Sequence, residues 1–175
     1  MKIIVVDNSP IERAAAKKVL EQAGHEIALC REYKEIEHLL LSKNKPKTEK
    51  PFTSFDILLA DADLDVPMMK LGGISYLGAK TIVGPFILLL AKHLGVTRVG
   101  ILTKVNHSNT TSGIMHGAKK CEDKPFRLDN IIFLIGSLSA YTNKYTYHSS
   151  KQGVYISLTV KNWAEAAEIL IKEKL

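Results

Sequence analysis

The chain is poor in the features that announce a covalent or membrane-bound framework. Its two cysteines, Cys30 and Cys121, form neither a metal-ligand spacing nor a disulfide set, so inert thiols in a reducing compartment are expected. No apolar run is long enough to cross a bilayer: the longest, 82–91, is broken by Gly84 and Pro85. The first residues offer one lysine and four apolar side chains before Asp7, too little for a signal peptide, and a cytoplasmic location is the expectation. No internal repeat and no helix-turn-helix pattern is present. The formal charge of +6 is dispersed. Its main cluster, Lys43, Lys45, Lys47 and Lys50, sits with Pro46 and Pro51 in a loop-like stretch, which argues for a solvated loop and against a nucleic-acid surface.

What is present is a globular composition: 175 residues, 46% hydrophobic, enough for one core with a modest appendage. Lys2 to Val6 is a β-branched run that reads as a strand buried on both faces, and it ends at Asp7. Ser9-Pro10-Ile11-Glu12 then predicts a helix with a capping box, Pro at the first helical position, and a stop at Gly24. A second strand is expected over 25–30 and a helix over 33–42, followed by a loop over 42–54. A third strand over 55–60 runs into Asp61, and a fourth over 96–103 ends at Thr103. This βαβ order implies right-handed crossovers and a parallel sheet. An apolar helix is expected near 81–94, preceded by an inserted Gly-rich segment at about 66–80. Residues 128–140, with Ile131, Ile132, Leu134, Ile135 and Leu138, read as the last helix of the main domain. The tail, 141–175, contains a strand at 154–160 and a helix at 162–173, and is too short for a core of its own.

Side chains at the carboxyl ends of neighbouring parallel strands meet in one crevice. Asp7, Asp61 and Thr103 close three such strands, and Lys124-Pro125-Phe126 follows. In that order these residues resemble the receiver domain of two-component response regulators. The resemblance covers about residues 1–140, leaving 141–175 as a C-terminal strand and helix packed on it. It implies an α/β fold, a doubly wound five-stranded parallel sheet of flavodoxin-like type. It also implies a stand-alone phosphoacceptor, better described as a signalling protein than as a metabolic enzyme. Asp61 would take the phosphoryl group, Thr103 would hydrogen-bond it, and Lys124 would pair with its oxygens. Magnesium would be held by Asp7, Asp61 and the backbone carbonyl of Asp63. Asn8 stands where the family has a second acid, so weak magnesium binding is expected. No aromatic residue stands at 118–120, where a fifth strand is placed by resemblance and where many receivers carry their switch aromatic. The implied partners are a sensor histidine kinase or phosphotransfer protein and a downstream protein, with the chain itself a monomer or homodimer.

Two alternatives fit some of the same residues. A pseudo-receiver that no longer takes phosphate, and serves as an interaction module, suits Asn8 and the Gly-rich insertion. A haloacid-dehalogenase-like phosphatase would use Asp61, Asp63, Thr103 and Lys124, but would leave Asp7 without a role and lacks a late acidic pair for magnesium. The stretch Gly73 to Thr81 nearly spells a phosphate-binding loop, but Ala79 separates Gly78 from Lys80 and spoils the required spacing.

Overall fold

The computed structural model describes residues 1–32, 35–36, 55–61, 70–71, 74–75, 91, 95–102, 124–136, 142–149 and 154–174. Strand β1 (Lys2–Val6) pairs in parallel with β2 (Glu26–Cys30) on one side and with β3 (Ile57–Asp61) on the other. Beyond β3 lie β6 (Arg98–Leu102) and β8 (Ile131–Gly136), also parallel. The five parallel strands thus run β2-β1-β3-β6-β8, the flavodoxin-like order. A sixth strand, β7 (Phe126–Leu128), adds an antiparallel edge to β8. Within the expected insertion, β4 (Lys70–Leu71) and β5 (Ile74–Ser75) form a small ladder apart from the main sheet.

Period-two alternation divides the sheet residues between two cores. Ile4, Val6, Leu58, Ala60, Val99, Ile101, Ile131 and Phe133 share one cluster with Ile36 and Ala91, both of helical backbone. Ile3, Val5, Ile57, Leu59, Leu102, Ile132 and Leu134 share the other, under helices α1 (Pro10–Gln22) and α2 (Trp163–Lys172). Helix α1 starts as expected, with Ser9 accepting from the Glu12 amide at 3.4 Å and Pro10 at the first position. It gives way to Gly24 at φ +81, a conformation that glycine adopts without steric cost. The Glu12 carboxylate, however, reaches across to the segment that opens α2.

The final helix is therefore not at 128–140. Residues 131–136 form the fifth parallel strand and 126–128 its hairpin partner, turned through Asp129 at φ +56, where a short polar side chain is tolerated. A brief run of β-branched residues has the same pattern whether it is a buried strand or a piece of buried helix. The fifth strand placed by resemblance at 118–120, and most of the helices expected at 33–42 and 81–94, lie outside the described residues. After β8 the chain forms a long antiparallel hairpin, β9 (Thr142–Ser149) with β10 (Val154–Lys161), and only then enters α2. Trp163, Ala166, Ala167 and Leu170 of α2 are buried against the sheet, so the C-terminal helix helps build the main core.

Gly100 permits this approach: a Cβ there would lie 2.7 Å from Leu59 Cδ2 and 3.3 Å from Leu170 Cδ1. Arg98 fastens the same helix by donating to the Leu170 carbonyl at 2.9 Å. Leu170→Ala is accordingly expected to lower unfolding free energy by about 2–5 kcal/mol, as for other buried leucines. Urea denaturation checks this, and a loss within error of zero would mean that the helix contributes little to the core.

Candidate functional site

Alternation places Asp7 and Asp61 on the same sheet face. Both continue the odd-numbered series that packs under α1 and α2, and the register Val6↔Ala60 brings the two acids side by side at the carboxyl ends of β1 and β3. Two adjacent carboxylates in a nearly dry site repel each other and lose hydration, so they require a counter-charge. Lys161, the last residue of β10, provides it. Its Nζ lies 2.6 Å from Asp7 Oδ2 and 2.9 Å from Asp61 Oδ1, with the lysine side chain 3% exposed. The ammonium also lies over the Trp163 ring, 5.2 Å from its centroid.

The two acids differ in access. Asp7 has a side chain only 1% exposed, and its oxygens receive Lys161 Nζ and the Ser9 amide, the latter at 2.8 Å. Its backbone is held as well: its amide donates to the Cys30 carbonyl at 3.1 Å, and its carbonyl accepts from Arg13 Nη1 at 2.6 Å. The Asp61 side chain is 10% exposed, and among the described residues only one of its oxygens has a partner. Asp61 is thus the more accessible of the two carboxylates, while Asp7 is sealed in.

Burial raises the Asp7 carboxyl above its ordinary value; Lys161 pulls it back and Asp61 pushes it further up. For Lys161, burial opposes the charge, but Asp61 and Asp7 outweigh it and hold the ammonium above its ordinary value. Two adjacent carboxylates, with one Asp61 oxygen lacking a partner among the described residues, are hard oxygen donors of the kind that would hold a divalent cation retaining several waters. Among the described residues no three acids, histidines or cysteines converge as a ready-made metal cage.

The expected lysine is misplaced. Lys124 is exposed and precedes β7, which β8 and β6 separate from β3. Three strand spacings of about 4.8 Å put it roughly 14 Å from the Asp61 column, beyond a lysine's reach. The residue that meets the acids was legible as a pattern farther along: an alternating strand, then Lys161, then Asn162 capping a helix by accepting from the Glu165 amide at 3.4 Å. Thr103 and Asp63 lie outside the described residues. Asn8 is exposed beside Asp7. Cys30 is buried, and burial, with Glu35 adding to it, pushes its thiol up to about 12, which leaves it un-ionised at neutral pH.

A lysine raised in the folded state adds stability that is fully present below its unfolded value and is lost as pH rises through the folded one. The wild-type chain should therefore lose stability above pH 10.5 as Lys161 deprotonates. Lys161→Met leaves both acids without their cation and is expected to cost about 3–5 kcal/mol at neutral pH. A carboxyl raised in the folded state is disfavoured while ionised and relieved as pH falls, so this loss should shrink in acid. Chemical denaturation across pH measures it; an equal loss in acid and at neutrality would refute the charge account.

No family model and no curated protein sequence matches the chain. Similar solved structures include the N-terminal domain of a response regulator/sensory box/GGDEF three-domain protein from Carboxydothermus hydrogenoformans. It has 14% identity and a TM-score of 0.42, over 80% of this chain and 83% of that one. A response regulator from Burkholderia pseudomallei, with a phosphorylated aspartic acid, calcium ion and citrate, has 15% identity and a TM-score of 0.43, over 79% of this chain and 60% of that one. A chemotaxis response regulator of Vibrio cholerae has 18% identity and a TM-score of 0.41, over 68% and 78%. The parallel strands of the chain itself follow the flavodoxin-like order β2-β1-β3-β6-β8.

Proposed function

We propose that the chain is a receiver-type phosphoacceptor, with Asp61 as the acceptor and Lys161 as its lysine. The observation that supports this reading is the ammonium held 2.9 Å from Asp61 Oδ1 and anchored by sealed Asp7, with Asp61 the more accessible acid at the strand end. In the reaction an Asp61 oxygen attacks phosphorus, and the bond from phosphorus to the donor's nitrogen or oxygen breaks. The departing group leaves with the electron pair, which a proton from solvent satisfies. The chain's own part is electrostatic: Lys161 stabilises charge on the transferring oxygens, and Asp7 holds Lys161 in place. Magnesium, bound through Asp61 with Asp7 beside it and the Asp63 carbonyl as a further oxygen, would neutralise the remaining charge. Asn8 supplies no second acid, so weak binding of that ion is expected.

The donor would be a phosphohistidine of a sensor kinase or phosphotransfer protein, and the output a protein–protein contact. Asn8 also favours a second reading, in which the acids and lysine are a structural ion cluster of a pseudo-receiver that takes no phosphate. Intact mass after incubation with acetyl phosphate and magnesium separates the two. A phosphoryl adduct is expected on the native chain and on Lys124→Ala, none on Asp61→Asn, and strongly reduced labelling on Lys161→Ala. An unlabelled native chain would turn the assignment to the pseudo-receiver.

A further inference from the structure

We propose that Glu12 is a positioning residue for Lys161, and through it for the Asp61 site. The chemical consequence rests on the phosphoacceptor reading; the positioning itself does not.

Lys161 ends β10, which among the described residues pairs with β9 alone in a separate two-stranded sheet, so no described ladder of the main sheet sets its height above Asp61. Another tie must fix it. Glu12, in the first turn of α1 and only 2% exposed, has one carboxylate oxygen, Oε2, that accepts from the Lys161 backbone N at 3.1 Å and from Trp163 Nε1 at 3.0 Å. These donors flank the lysine along the chain, and a charged acceptor makes both bonds stronger than neutral ones. The start of α1 therefore governs both partners of the ion pair. Ser9 orients Asp7 through its amide, and Glu12 holds the backbone from which Lys161 reaches it. The Trp163 ring, tied by the same oxygen, lies 5.2 Å from the ammonium, measured to its centroid.

Position and charge make different demands on residue 12. Glu12→Gln keeps an acceptor oxygen at the same reach. Glu12→Asp keeps the charge but stops one methylene short. The test is the ammonium resonance of Lys161 in chain labelled with ¹⁵N-lysine, assigned by its loss in Lys161→Met. Its shift and solvent-exchange protection are measured alongside the acetyl phosphate labelling rate and thermal unfolding. Glu12→Gln should retain the protected resonance and a near-native labelling rate. Glu12→Asp, while still folded, should lose the protection and label about tenfold to a hundredfold more slowly, as misplacement by an ångström costs elsewhere.

A folded Glu12→Asp with an unchanged, protected ammonium signal overturns the proposal. So does a folded Glu12→Gln that loses the signal, because charge rather than position would then be responsible. If the native chain takes no phosphoryl group, the phosphoacceptor reading fails, and the resonance still decides the role of Glu12.

Discussion

The Lys161 ammonium between Asp7 and Asp61 is the contact on which the rest of the architecture depends. Parallel strands ending together put two acids side by side beneath two helices, where neither acid is tolerable alone. A single cation resolves both problems. It can do so only if the segment leading into α2 crosses the top of β1 and β3. The ion cluster and the seating of α2 are therefore one requirement, met together by Lys161, Trp163 and the buried face through Leu170.

The same cluster divides labour between its acids. Asp7 spends its hydrogen-bonding capacity internally, on Ser9 and Lys161, and serves as an anchor. Asp61 leaves an oxygen uncommitted among the described residues and keeps some contact with solvent.

The route of the chain is what distinguishes this domain. A hairpin of two eight-residue strands stands between β8 and α2, and Lys161 lies at the hairpin's end, next to the cap of the helix that follows. Its backbone N donates to Glu12 Oε2 at 3.1 Å, a tie between that end and the first turn of α1.

Much of this was legible in the residues themselves. The buried strands ending at Asp7 and Asp61, the capped start of α1, its stop at Gly24 and the amphipathic C-terminal helix all follow from local pattern: β-branched runs, Ser-Pro-x-Glu, a glycine able to adopt positive φ, and apolar spacing at helical period. Local pattern was insufficient where two structures share it. Residues 131–136 are apolar throughout, and a short run of that kind fits strand or helix until neighbouring β6 supplies its ladder. Lys124-Pro125 matched the family dipeptide, yet it lies on the far edge of the sheet. Only the tertiary structure chose Lys161, and only it drew Glu12 from a local capping role to a partner 149 positions along the chain. The physical reason is the same in both cases: chain-local preferences select elements, whereas a buried charge selects whichever opposite charge the packed fold brings within reach.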